Sequence, residues 1–270
     1  MSLFTVLGAC GYIGRRLVTY LQESGHEVWA PERGASDVFS RPLGHVMYCV
    51  GLTGNFRSRP FDTVDAHVAL LQELLRRAQF DSLLYLSSTR VYMGSDRADE
   101  EAPLQVLPAD PSYLYNLSKL LGESLCHASG RTGVRVARLS NVVGSGMSSD
   151  SGNLIADLVA QARTGHVVLR SALQSAKDYI HVDDVLESIT RIALGGAHRT
   201  YNLASGVQTT HGQWLQWLAH STGCSVECLD QAPVQQFPVI SVQRLRNEWP
   251  EAGRRPVWDR NIINETHCKE

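Results

Sequence analysis

The sequence predicts an α/β chain built on a doubly wound parallel sheet, with a small lobe toward the C-terminus. Three observations carry this. The apolar run "SLFTVLG" opens the chain and ends in glycine, and a stretch of helical periodicity follows it directly. Continuous apolar segments such as "HVMYCV" (45–50) then recur, as strands covered on both faces require.

The elements follow in order. Residues 12–24, "YIGRRLVTYLQES", read as a helix that Gly25 closes at the C-cap position. "HEVWA" (26–30) is a second strand and "HVMYCV" a third. Residues 61–79 form a strong helix, with Val64, Val68, Leu71, Leu75 and Ala78 on one stripe. Leu70 and Leu74 widen that stripe, either as more core face or as a surface for a second subunit. "SLLYLSS" (82–88) is a strand, 112–129 a helix and "GVRVARLS" (133–140) a strand. Further helices fall near 152–163, 183–194 and 211–222. The interval 31–44 is too short for the helix, strand and second crossover of a regular doubly wound sheet. The sheet is therefore expected to lack one helix–strand unit beside the second strand.

Composition narrows the function. At 270 residues, 43% hydrophobic and 19% charged, the chain suits an ordinary globular protein with a full core. A net charge of −2 gives no footprint for nucleic acid or an anionic membrane. The N-terminus lacks the basic and apolar regions of a signal peptide, and the longest apolar run, "VMYCVGL", is too short to span a bilayer. A cytoplasmic location is expected. Of six cysteines only Cys224 and Cys228 are close, without a second pair or nearby histidines, so reduced thiols are expected rather than a zinc site.

"GACGYIG" places Gly8, Gly11 and Gly14 between the first strand and first helix. The first glycine permits the turn and the second lets backbone approach a pyrophosphate. The third lets the helix pack closely, with its N-terminus facing phosphate. This predicts a Rossmann-type dinucleotide site that includes Tyr12 and Ile13. Glu32, at the end of the second strand, is placed to bond the ribose of NAD and repel the 2′-phosphate of NADP. Arg33 beside it has the opposite preference and leaves NADP as the alternative.

"YNLSK" (115–119) sets Lys119 four residues after Tyr115 in a chain whose other lysines are Lys177 and Lys269. On a helix the two share a face. A free phenol, with pKa near 10, is a poor base at neutral pH, and a nearby cation would bring it toward the working range. On spacing alone, two residues of a solvated helix face fit as well. Tyr113 is out of register with the lysine.

Glycine loop, "YLSSTRVYMG" and "YNLSK", in that order, together resemble the extended short-chain dehydrogenase/reductases, the nucleotide-sugar epimerase/dehydratase family. The resemblance continues through "RLSNVVGSGM", "KDYIHVDDV" and "YNLASG" and covers most of residues 3–206. It implies that Tyr115 is the catalytic acid/base, helped by Lys119, which also holds the nicotinamide ribose. It makes Ser88 the hydroxyl that bonds the substrate oxygen, with Thr89 as the alternative and Ser87 facing backbone. It places Val50 and Gly51 at the cofactor, and Asn141, Asn153 and Lys177 at the nucleotide sugar. Lys177 stands where the family has arginine and loses the bidentate fork. Asp178, His181, Asp183 and Asp184 look like metal ligands in isolation, but in context they read as loop, packed strand and helix start, with Asp183 as N-cap.

Three departures stand out. The shortened 31–44 interval removes the segment whose acidic residue usually meets adenine. His67 replaces the family's asparagine before valine. "SSTRV" lacks the Asp–Glu pair of 4,6-dehydratases, which disfavours dehydration. The resemblance implies an NAD-dependent epimerase of a nucleotide sugar, with an NADPH-dependent 4-ketoreductase or a non-catalytic dinucleotide sensor as alternatives. "VGLTG" (50–54), similar to the "AGL" loop of galactose epimerases, leans toward the first. Residues 1–145, rejoined by 178–205, are expected to bind the dinucleotide, and 146–177 with 206–270 the substrate. A homodimer through helices 61–79 and 112–129 is expected, without a metal.

Overall fold

Why the chain winds as it does is visible in which side chains each strand sends to each face. The computed structural model describes residues 1–149, 152–229 and 231–264; Cys268 and Lys269 lie outside them. Six strands form one parallel sheet: β1 (Leu3–Leu7), β2 (Glu27–Trp29), β3 (His45–Tyr48), β4 (Ser82–Ser88), β5 (Val134–Leu139) and, late in the chain, Thr200–Leu203. The spatial order is β2-β1-β3-β4-β5, closed by Thr200–Leu203. Phe4, Val6, Met47, Leu84 and Leu86 point to one face, where α1 (Tyr12–Glu23) and the helix Val182–Gly195 cover them. Leu7, Val46, Tyr48, Leu83 and Tyr85 point to the other, beneath the helices Leu70–Arg77 and Leu114–Ala128. Alternate burial on both faces is what the unbroken apolar runs require. Each fully buried leucine contributes about 1.5–3 kcal/mol.

The expected shortfall after β2 is present. β2 is the edge of the sheet, and the interval before β3 holds only the single 3₁₀ turn Ser36–Phe39. Val38 and Leu43 bury themselves against the second face. Thr5 donates its hydroxyl to the Leu43 carbonyl at 2.7 Å, and the Leu43 N–H donates to the Gln79 carbonyl at 2.9 Å. The strand order reverses between β1 and β3, so a crevice opens at their carboxyl ends.

The helix expected over 61–79 is interrupted. It runs as α2 (Pro60–Val64), a π turn over Asp65–Ala69, and α3 (Leu70–Arg77). The wider turn frees carbonyls that two buried phenols take up. Tyr48 donates to the Ala66 carbonyl at 2.8 Å and Tyr85 to that of His67 at 3.2 Å. The inserted residue also rotates the start of the helix off its stripe, which leaves Val64 37% exposed rather than in the core.

α4 (Leu114–Ala128) approaches the sheet closely at Gly122, where a Cβ would lie 2.5 Å from the Tyr85 phenol oxygen. Beyond β5 come β6 (Asn141–Val143), α5 (Leu154–Arg163), β7 (His166–Leu169) and β8 (Ala176–His181). They are followed by α6 (Val182–Gly195), β9 (Thr200–Leu203), β10 (Gln208–Thr210), α7 (His211–Thr222), β11 (Ser225–Cys228), α8 (Gln243–Glu248) and α9 (Asn261–Asn264). β6, β8 and β10 form a second sheet and β7 with β11 a third. α5 and α7 pack on Tyr179, Trp214, Leu215 and Leu218 in a separate core. The N-cap of α6 is His181, not Asp183. The His181 Nδ1 accepts the Asp183 N–H at 3.2 Å, while the Asp183 carboxylate faces outward to pair with Arg16 at 3.3 Å.

Candidate active site

The glycine loop shows three different constraints. Gly8 has φ +83°, and a Cβ there would lie 2.8 Å from the Cys49 carbonyl carbon on β3's extension. Only glycine fits that position. A Cβ on Gly14 would lie 2.2 Å from the Gly8 carbonyl oxygen, so the third glycine lets α1 close on the loop itself. Gly11 meets only the Gly8 carbonyl oxygen, at 3.4 Å. It is the N-cap of α1 and supplies no side-chain cap, so the first-turn N–H groups face a cavity of about 720 Å³. An uncapped helix start on a glycine turn suits the pyrophosphate of a dinucleotide. Gly51 borders the same atoms: a Cβ there would lie in ordinary contact with His67 Nε2 and Lys119 Nζ, at 3.4 and 3.5 Å.

At the ends of β4 and α4 the same cavity gathers Ser88, Thr89, Tyr115 and Lys119. The Ser88 Oγ accepts the Arg90 N–H at 3.2 Å and acts on the Tyr115 phenol to lower its pKa. Thr89 donates its hydroxyl to the Leu139 carbonyl at 3.3 Å, which leaves Ser88 as the hydroxyl beside the tyrosine. Ser87 does not face backbone: it donates to the Glu123 carboxylate at 2.5 Å, because α4 brings that carboxylate under the strand end. Burial pushes the Tyr115 phenol above its ordinary pKa, and the Ser88 hydroxyl and the Arg90 charge oppose it. Burial pulls the Lys119 ammonium down to about 7, against the Glu123 charge. Lys119 donates to the Leu86 carbonyl at 2.9 Å and stands 6.0 Å from the Tyr115 ring centre. The cation acting on the phenol is Arg90.

His67 sits behind this pair on the π turn. Its Nε2 accepts the Leu52 N–H at 3.2 Å, so its Nδ1 carries the proton and donates to the Ser118 Oγ at 2.8 Å. Ser118 in turn donates to the Tyr115 carbonyl at 2.9 Å. The chain from Leu52 to Tyr115 fixes the 50–52 loop against α4.

Gly11, Tyr12, Ile13, Gly14, Val50, Gly51, Asn141, Asn153 and Lys177 line the cavity with the four residues above. Asn153 is also the N-cap of α5, its carbonyl accepting the Ile155 N–H at 2.9 Å, and Asn141 donates to the Asp178 carbonyl at 2.8 Å. Gly8 lies under the loop, outside the lining, as do Glu32 and Arg33 on the exposed segment after β2. The Asp178 carboxylate accepts the N–H groups of Ser205 and Val207 at 2.9 and 3.1 Å, tying β8 to the loop after β9. Among the described residues no His, Cys, Asp and Glu side chains cluster as a metal would need. Phe56, Arg57, Arg90, Phe237 and Pro238 also line the cavity. Arg90 was visible in "SSTRVY" as a basic residue in an acidic position, whereas nothing in the sequence marked Phe237 or Pro238.

Comparison with known proteins agrees with this geometry. The model of the NAD dependent epimerase/dehydratase family matches residues 4–204. A curated relative, the dTDP-4-dehydro-6-deoxy-D-allose reductase of Streptomyces bikiniensis, is 24% identical over 251 residues, covering 76% of each chain. The solved structure of MoeE5 with UDP-glucuronic acid and NAD superposes with a TM-score of 0.80 at 22% identity, over 97% of both chains. RMD from Pseudomonas aeruginosa, complexed with NADPH, gives 0.79 at 23%, also over 97% of both. At these identities the two structures speak for the fold.

His67 makes a prediction about pH. Burial first, and the Lys119 charge second, hold its pKa down to about 2. Below the ordinary histidine value of about 6.5 the unfolded chain takes up a proton that the folded chain refuses, so stability falls as pH falls. Between pH 6.5 and 5.0 the wild-type protein is expected to lose roughly 1.5–2 kcal/mol more than His67→Asn in denaturant unfolding. Equal losses in the two proteins would contradict the buried neutral imidazole.

Proposed function

Because the chain belongs to the NAD dependent epimerase/dehydratase family, we propose that it epimerises a nucleotide sugar through a transient ketone. The observation that carries this is that Ser88 and the buried Tyr115 and Lys119 meet in the same cavity as the glycine loop. When bound, the nicotinamide supplies reversible hydride acceptance at a carbon whose hydroxyl proton is removed. Gly11, Tyr12 and Ile13 would hold the pyrophosphate, and Val50, Gly51 and Lys119 the nicotinamide end. Tyr115 takes the hydroxyl proton and later returns it to the same oxygen, which Ser88 holds, while inversion comes from return of the hydride to the opposite face of the carbonyl carbon. The Ser88 hydroxyl and the Arg90 charge favour the phenolate against burial. Asn141, Asn153 and Lys177 line the part of the cavity left for the nucleotide.

A second reading has support in the curated relative, itself a dTDP-sugar reductase. With NADPH the same residues would reduce a 4-keto sugar once, Tyr115 donating the proton. A dinucleotide sensor without chemistry does not account for Ser88 and a buried Tyr115 and Lys119 gathered in one cavity. We also propose that the chain pairs with a second copy through α2 and α4, where Phe61 is 84% and Leu121 50% exposed.

Tyr115→Phe is expected to cut turnover by about 10²–10⁴-fold while NAD titration changes little, since only the transferable proton is lost. Lys119→Ala should weaken both. A Tyr115→Phe enzyme with more than about a tenth of wild-type rate would remove the acid/base role. Incubation with candidate nucleotide sugars and catalytic NAD, with no reductant, should yield a stereoisomer. Loss of NADPH absorbance in step with reduction of a 4-keto sugar, and no isomer from any sugar, would instead select the reductase. Sedimentation should show a dimer that Phe61→Glu with Leu121→Glu separates; a wild-type monomer at micromolar concentration would refute the pairing.

A further inference from the structure

The cavity holds a second cation beside Lys119, Arg90, whose hydrogen-bonding capacity the protein leaves largely unused. Arg90 follows Ser88 by two residues, and its backbone N–H donates to the Ser88 Oγ. The Asn116 side chain donates to its carbonyl at 3.0 Å, which fixes this turn against α4. The Arg90 charge acts on both the Tyr115 phenol and Lys177, and all three residues line the same cavity. A sugar ring held in that cavity borders the guanidinium.

The guanidinium is poorly satisfied there. One Nη donates to the Ser112 carbonyl at 3.3 Å, and the Nε is sealed from solvent without a partner. Neither Arg90 nor Arg57 forms an ion pair among the described residues. Arg57 lies 4.5 Å from the centre of the Phe56 ring and Arg90 5.7 Å, while that ring packs 5.5 Å from Tyr115. Two cations thus share one aromatic plate beside the reactive phenol. Asp178 is the one carboxylate among the described lining residues, and it is already held by the Ser205 and Val207 N–H groups. Asp110 outside the cavity acts on both arginines without forming an ion pair with either. A half-buried guanidinium with one long hydrogen bond still has donors for an anion in the cavity, and its planar fork matches a carboxylate with two parallel bonds.

We propose that Arg90, supported by Arg57, binds a carboxylate carried on the sugar ring, so that the substrates are nucleotide sugars of the uronic acid class. This deepens the nucleotide-sugar reading above and depends on it. The position beside Ser88 and Tyr115 favours a ring substituent over the diphosphate, which Lys177 faces.

The test measures binding to the NAD-loaded protein by calorimetry, with UDP, UDP-glucose and UDP-glucuronic acid, and with the matching dTDP series. The wild-type protein should bind the uronate about 10–100-fold more tightly than the glucose compound in at least one series, the worth of a charged bidentate contact. Arg90→Gln should bring that ratio to within about twofold while leaving the nucleoside diphosphate unchanged. Arg90→Lys, which keeps charge and loses the fork, should give an intermediate ratio and serves as the deciding variant if Arg90→Gln does not fold. A wild-type ratio near one in both series overturns the proposal. So does an equal loss for diphosphate and both sugars in Arg90→Gln, which would assign Arg90 to the diphosphate. If no diphosphate or sugar nucleotide binds at all, the nucleotide-sugar reading itself fails, a result distinct from a lost uronate preference.

Discussion

A buried ion pair between Glu123 and Arg138 holds together the parts that make the cavity. Arg138 on β5 donates from Nη2 to the α4 carboxylate at 2.7 Å and from Nε at 3.1 Å, with both side chains almost wholly enclosed. Ser87 on β4 donates to the same carboxylate, and the other Arg138 Nη donates to the Tyr92 phenol at 2.7 Å. Tyr92 passes its own proton to Asn202 on β9 at 2.8 Å. One connected set of polar groups thus joins α4 to three strands and to the turn that follows Ser88. Such a pair is retained only when every member is satisfied, and loss of one partner costs about 3–5 kcal/mol. With α4 locked in this way, Tyr115 and Lys119, two turns and one turn before Glu123, have a fixed height above the strand end.

The electrostatics of the cavity follow from that enclosure. Burial disfavours charge on both members of the Tyr115–Lys119 pair, raising the phenol and lowering the ammonium. Glu123 opposes the second effect from one turn away, so the structural ion pair also supports the charge of Lys119. Ser88 and Arg90 oppose the first. The resemblance to the family assigns the tuning of the phenol to the lysine four residues on. In this chain the cation that acts on the phenol is instead an arginine from the β4 turn, at the position where dehydratases of the family carry acid.

Much of the site was legible in the sequence because its parts are local. The glycine loop needs only neighbours in the chain to form a turn that no other residue permits, as Gly8 and Gly14 show. Tyr115 and Lys119 share a face through helical spacing alone. The missing unit after β2 followed from counting residues. Other features depend on partners far away in the chain. The π turn over Asp65–Ala69 exists where Tyr48 and Tyr85 take its carbonyls, and these come from two different strands. Ser87 has an ordinary strand-end sequence, and only α4 supplies its carboxylate 36 residues later. His181 displaces Asp183 as a helix cap because β8 delivers its ring to the start of α6.

The sequence by itself determined the α/β winding, the shortened edge, the glycine turn and the shared helix face of Tyr115 and Lys119. Each rests on periodicity, glycine geometry or spacing within a few residues, where the chain constrains itself. Tertiary structure alone decided which hydroxyl and which cation act on Tyr115, and that Phe56, with Arg57 over its ring, packs on the same phenol. Those contacts join β4, α4 and the 51–59 loop. The strand order brings these segments to one end of the sheet, and burial there changes proton affinities that spacing in a sequence does not encode.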